Sequence, residues 1–217
     1  FYTTAGVDAE YTGHPLLDRL QHLPSQEQAA RTLGMDPTRP LVALLPGSRR
    51  HEVQHLLPLM LESMQHIRQR LPQTQGVLPV ASTIPLPAIQ AIVAGAGCAV
   101  TVLQGQSHMA LRAAHFAIVA SGTATLETGL IGTPLVVVYK VHPFTAFLAK
   151  RLLRVPYISL VNIIAARRLV PELLQKQACP QTIASHALQC LEHPTTAVAL
   201  RRELATLRDI LGTGGGA

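Results

Sequence analysis

The stretch Phe116 to Tyr139, FAIVASGTATLETGLIGTPLVVVY, decides the fold. Its ends, Phe116–Ala120 and Leu135–Tyr139, are short apolar runs of the kind that form strands buried on both faces. The residues between them, Ser121 to Pro134, are just enough for one crossover helix, so the stretch reads as a βαβ unit of a parallel sheet. The same alternation extends upstream. Leu41–Leu45 is another all-apolar run, closed by Pro46-Gly47, and helical spacing follows from Glu52 to Arg70. An apolar run near Gly76–Ala81, a helix over Pro87–Ala94, a strand over Cys98–Leu103 and a helix over Ser107–Ala114 complete the pattern. Downstream of Tyr139 the sequence reads as short helices divided by Pro143, Pro156, Pro171, Pro180 and Pro194. Strand and helix alternating in this way predict an α/β domain: a Rossmann-like parallel sheet with helices on both faces, from residue 41 to 193. Residues 1–40 are expected to be a connector with its own helix, and 194–217 a C-terminal helix with a frayed glycine tail.

Composition agrees with a packed core. Of 217 residues 48% are hydrophobic and 14% charged, which excludes a disordered chain. No apolar run approaches the roughly 20 residues of a membrane span. The chain starts at Phe1 without a basic-then-apolar leader and is read as a fragment. Cys98, Cys179 and Cys190 are odd in number and lack CxxC spacing, so neither a disulfide frame nor a zinc site is expected, and a reducing cytosol fits. The ten histidines are spread along the chain, and no metal is expected. The formal net charge of +6 comes from arginine far more than lysine, without the aromatic interleaving of a single-strand binder. Nucleic acid is therefore not the expected partner, and paired guanidinium groups suit phosphate or carboxylate.

Ligands of such sheets sit at the carboxyl ends of strands, against the N-termini of the following helices. Two loops have the right chemistry. In Leu45-Pro-Gly-Ser-Arg-Arg50, Gly47 lets the backbone approach a ligand, Ser48 can cap the next helix, and Arg49 can hold a diphosphate through two nitrogens. In Ala120-Ser-Gly-Thr-Ala-Thr-Leu-Glu127, Ser121 or Thr123 can cap, and the free N–H groups around Gly122 form an anion site. Glu127 lies one turn further on, and its side chain leans back to where a ribose on that phosphate would lie. Gly95 and Gly97 precede a strand and read as a helix end, not a dinucleotide fingerprint. Asn162, after a short apolar piece, can bind sugar hydroxyls or simply cap a helix. From Phe144 to Val155 the residues Phe144, Phe147 and Leu148 share one helical face, with Lys150 and Arg154 flanking it and Arg151 within it. That pattern is either a core-packing helix or a basic amphipathic helix able to lie on anionic lipid.

Taken in order, Gly13-His-Pro-Leu16, LLPGSR (44–49) with Glu52, ASGTATLE (120–127), YKVHPFT (139–145), LAKRLLRVPYISLVNIIA (148–165) and LVPELLQ (169–175) closely resemble the lipid-A-disaccharide synthase family. The resemblance covers nearly the whole chain. It implies the C-terminal, UDP-sugar-binding half of a two-domain (GT-B type) glycosyltransferase. The implied reaction is inverting transfer of 2,3-diacylglucosamine from UDP to 2,3-diacylglucosamine 1-phosphate, giving the lipid A disaccharide 1-phosphate and UDP. It implies no cofactor or metal, and an acidic general base in an N-terminal domain that this chain lacks. By position, Arg49 matches the arginine that meets the donor phosphates, Glu127 the acid that holds the ribose, and Asn162 the amide near the donor sugar. Gly47, Ser48, Ser121, Gly122 and Thr123 complete the expected UDP site. Diacyl substrates imply a peripheral enzyme on the cytoplasmic face of the bacterial inner membrane, with Phe144, Phe147, Leu148, Lys150, Arg151 and Arg154 at the lipid. Homodimerisation is left open. The sequence departs from the family at Val161, where Pro is usual, at Ala166, where Gly is usual, and at Arg168, where an acid is usual. The competing readings are a UDP-N-acetylglucosamine 2-epimerase-like enzyme and a non-catalytic UDP-binding or lipid-surface module.

Overall fold

The computed structural model describes residues 6, 8, 13–140 and 156–212. Strand β1 (Leu41–Leu45) is buried along its whole length and feeds two separate cores. Val42 and Leu44 face one core, while Leu41, Ala43 and Leu45 face the other. The same division holds for β4 (Phe116–Ala120), with Phe116, Ile118 and Ala120 on the first side and Ala117 and Val119 on the second. A sheet apolar on both faces must be covered on both faces, which requires crossover helices and hence parallel strands.

With β2 (Gln75–Val80), β3 (Val100–Gln104), β5 (Leu135–Tyr139) and β6 (Glu172–Leu174), the sheet runs β3-β2-β1-β4-β5-β6, all parallel. Helix α3 (Arg50–Arg70) buries Val53, Leu56, Leu57, Met60, Leu61, Met64 and Ile67 against the first face, and its Pro58 lies on the solvent side. Helix α4 (Leu86–Gly95) and α8 (Pro180–Glu192) share that layer through Ile89 and Val93, and through Ile183, Ala184 and Ala187. The second face is covered by α1 (Pro15–Arg19), α2 (Gln26–Thr32), α5 (Ser107–Ala113), α6 (Thr123–Ile131), α7 (Leu160–Ala165) and the end of α9 (Pro194–Leu211).

The segments expected to flank the domain contribute to its core. Leu17, Leu20, Ala29, Ala30 and Leu33 on one side, and Leu204, Leu207 and Leu211 on the other, lie in the second-face cluster. Strand β6 corrects the expectation of helix alone after Tyr139: its three residues pair with Val137, Val138 and Tyr139. It is too short for any period to show, and it opens on Glu172, which is 8% exposed.

Candidate functional site

The strand order reverses direction between β1 and β4. The chain leaves β1 towards β2 and leaves β4 towards β5, so the two departing loops diverge and open a crevice at the carboxyl ends. A cleft of about 400 Å³ occupies that place. Its walls are Gly47, Ser48, Arg49 and Glu52 after β1, Ser121 to Ala124 and Glu127 after β4, and Pro79, Ala81 and Ser107 at the side. All seven residues expected to meet UDP (Gly47, Ser48, Arg49, Ser121, Gly122, Thr123 and Glu127) line this one cleft.

Helices α3 and α6 both begin at the cleft, and they differ electrostatically. Helix α3 carries its own anion: Glu52 is in the first turn and accepts from Arg49 Nη1 at 2.9 Å. The Glu52 side chain folds over Gly47 so closely that a Cβ there would come within 2.5 Å of Oε2, and Gly47 has φ +112°. Only glycine meets both conditions without strain. Helix α6 has no such partner. Its N-cap is Gly122 at φ +151°, no side chain caps it, and no acid lies in its first turn. Its leading N–H groups and positive dipole end are thus offered to the cleft. Glu127 stands one turn behind, and its Oε2 faces His108 Nε2 at 3.2 Å.

The caps differ from expectation. Arg49, not Ser48, is the N-cap of α3, and it makes no capping bond through its side chain. The Ser48 carbonyl instead accepts from Thr83 Oγ1 at 3.1 Å. Ser121 does not cap α6 either, because its Oγ donates to the Ile158 carbonyl at 3.1 Å. Arg49 is 73% exposed, so its ion pair with Glu52 is worth at most about 1 kcal/mol and can be exchanged for an arriving phosphate.

Asn162 is the correction. It lies within α7 rather than ahead of it, is 0% exposed, and spends its whole amide inside the chain. Oδ1 accepts from Leu169 N at 2.8 Å and Val170 N at 3.0 Å, while Nδ2 donates to the Val170 carbonyl at 3.0 Å and to Glu172 Oε1 at 2.9 Å. The Glu172 carboxylate also accepts from Ile158 N, Ser159 N and Ser159 Oγ. A buried clamp thus ties α7 and β6 to the segment that Ser121 holds beside the cleft. Phe144, Phe147, Leu148, Lys150, Arg151 and Arg154 lie outside the described residues.

His108 and Ser107 escaped the reading of the sequence. Ser107 lines the cleft and His108 meets Glu127 of its wall; both stand at the start of α5, directly after Gly105 and Gln106, which take positive φ, +67° and +57°. A non-glycine residue in that region is uncommon and is a local sign of a constrained turn. In one-letter code Gln106 gives no hint of it.

An open parallel sheet with an uncapped helix N-terminus and an exposed arginine at the switch point defines a Rossmann-like α/β domain. Comparison with known proteins narrows this. A family model described as lipid-A-disaccharide synthetase matches residues 1–208, and the chain belongs to that family. Lipid-A-disaccharide synthase of Geobacter sulfurreducens is 42% identical over 215 residues, covering 99% of this chain and 56% of the relative. That of Syntrophus aciditrophicus is 42% identical over 217 residues, covering 100% of this chain and 57% of the relative. The chain thus spans little more than half the length of the curated relatives it matches. Among solved structures, a proposed UDP-N-acetylglucosamine 2-epimerase from Listeria monocytogenes superposes with TM-score 0.63 at 15% identity, over 98% of this chain and 52% of that one. A sucrose-phosphate synthase from Thermosynechococcus elongatus gives TM-score 0.61 at 16% identity, over 92% and 47%. These two likenesses show the fold.

Proposed function

We propose that this chain is the UDP-sugar-binding part of a lipid-A-disaccharide synthase, which transfers 2,3-diacylglucosamine from UDP to 2,3-diacylglucosamine 1-phosphate with inversion. The observation that carries the reading is the open N-terminus of α6 with Glu127 one turn behind it. A diphosphate at Gly122 to Ala124 places the attached ribose towards Glu127, whose carboxylate accepts from the ribose hydroxyls. His108, on the other side of that carboxylate, holds it in place.

In the proposed reaction the acceptor hydroxyl attacks the anomeric carbon while negative charge grows on the departing diphosphate. The α6 N–H groups and Arg49 meet that charge. Because it is larger in the transition state than in the bound donor, their stabilisation lowers the barrier rather than only tightening binding. The general base is assigned to a part of the enzyme outside this chain. Among the described residues no helix is long and apolar enough to cross a membrane. The diacyl substrates place the enzyme at the cytoplasmic face of the inner membrane, with the Phe144–Arg154 segment as its lipid contact.

Isothermal titration of the chain with UDP tests the site. Micromolar binding is expected, and Glu127→Gln should weaken it about tenfold by replacing a charge-assisted hydrogen bond with a neutral one. For 2′,3′-dideoxy-UDP the substitution should cost nothing. Equal losses for both ligands would remove Glu127 from the ribose, and no UDP binding by the folded chain would overturn the reading.

A further inference from the structure

At the opposite end of the sheet, under the amino ends of β4 and β5, lies a second pocket of about 230 Å³. It is lined by Gln26 of α2, Arg112 and Ala114 at the end of α5, Ile131, Gly132 and Thr133 at the end of α6, and Arg201 of α9. None of these residues carries negative charge. Arg112 donates Nε to the Pro24 carbonyl at 2.7 Å, which leaves its two terminal nitrogens open. Arg201 is partly buried, and among the described residues it has neither an ion pair nor a hydrogen bond.

The neighbouring acceptors are already used. Leu130 O takes Arg208, Thr128 O takes the N–H groups of Gly132 and Thr133, and the Ala113 and Ala114 carbonyls take Gln26 Nε2. Thr133 Oγ1 donates to Leu111 O. Two guanidinium groups therefore face one cavity with no counter-charge among the described residues, an arrangement that costs free energy unless something anionic enters. Burial and the Arg112 charge hold Arg201 below the ordinary guanidinium range. His115, just before β4, is likewise pushed below the usual imidazole range by burial and by Arg201. The cavity is smaller than the ~300 Å³ at which pockets for drug-sized ligands begin, so it fits a single oxyanion group rather than a nucleotide.

We propose that this pocket is a second anion site, which takes one phosphate group, free or as a monoester, between Arg112 and Arg201. The planar guanidinium fork suits two oxygens of such a group at once. The site lies at the opposite end of the strands from the cleft at β1 and β4 and is independent of the function proposed for that cleft.

The test is a titration of the 217-residue chain with inorganic phosphate, and in parallel with glycerol 3-phosphate, at constant ionic strength against chloride. Binding is followed by calorimetry and by the melting temperature. A saturable response to either ligand is expected in the parent and in Arg49→Gln. In Arg201→Gln it should weaken about tenfold or more, as expected when a charge-assisted bond is removed. Without phosphate, Arg201→Gln should melt no lower than the parent, since one of two like charges is gone. Should Arg201→Gln fail to fold, Arg201→Lys keeps the charge, removes the fork, and should still weaken phosphate binding. A response to the free ion alone or to the ester alone tells which form is held. The proposal is overturned if neither ligand acts beyond chloride, if the response of Arg201→Gln is as strong as that of the parent, or if it disappears in Arg49→Gln and so belongs to the other cleft.

Discussion

Replacing Asn162 by Asp separates its two readings, ligand amide or buried clamp, with almost no change of shape. The new carboxylate can still accept from Leu169 N and Val170 N. It loses both bonds donated by Nδ2, an ordinary one to the Val170 carbonyl and a charge-assisted one to Glu172. Taking about 1 kcal/mol for the first and about 2 kcal/mol for the second, the loss is about 3 kcal/mol. For a chain of this size that lowers the melting temperature by roughly 6–12 °C.

The effect also depends on pH. The introduced carboxyl would stand about as close to Glu172 as Nδ2 now does, 2.9 Å, and two carboxylates at that distance do not both ionise readily. Its folded-state pKa is therefore raised above the unfolded value of about 3.9. The native state then keeps a proton that the unfolded state has lost, so stability falls as pH rises from about 4 through the raised value and is level above it. Thermal melts at pH 4.5, 6 and 7.5 should show the variant closest to the parent at pH 4.5 and furthest from it at pH 7.5. A variant that melts with the parent at pH 7.5, or trails it equally at every pH, would refute the clamp. Loss of donor binding with an unchanged melting temperature would return Asn162 to the ligand.

Three further outcomes follow from the packing. Ala166 ends α7 at φ +51°, so Ala166→Gly should raise stability by about 0.5–1 kcal/mol in urea titration, and a lowered midpoint would contradict the left-handed cap. A Cβ on Gly129 would lie 2.8 Å from Leu207 Cδ1 and 2.9 Å from Val161 Cγ2, so Gly129→Ala should destabilise by about 1–3 kcal/mol despite its better helix propensity. An unchanged urea midpoint would mean that α6, α7 and α9 do not meet there. His115 is held below the usual imidazole range by burial and Arg201, and its Nδ1 accepts from Leu41 N at 3.2 Å. Its contribution is full above pH about 6.5 and is lost as pH falls from there through the depressed value, so His115→Gln should flatten the stability slope between pH 7.5 and 5. His186, also lowered by burial and by Arg168, leaves a smaller slope behind.

What was legible in the sequence is what depends on neighbours along the chain. β1, β4 and β5 announce themselves because burial on both faces leaves no polar position to break the apolar run. The seven cleft residues announce themselves because a strand end and the helix N-terminus that follows it are made of local turn chemistry: Gly47 and Gly122 at positive φ, and Glu127 a turn behind. β6 and the role of Asn162 were not legible, since both rest on one long-range fact. Glu172 is buried in a strand because four donors from residues 158, 159 and 162 converge on it, and neither its charge nor the asparagine's amide declares a partner thirteen or ten positions away. Yet the two kinds of information meet. Ser121 donates to Ile158 O, and Ile158 N donates to Glu172, so the loop before α6 is fastened to the clamp that Asn162 completes. Asn162 thus acts on the cleft at one remove, by holding the 158–159 backbone against which Ser121 is set.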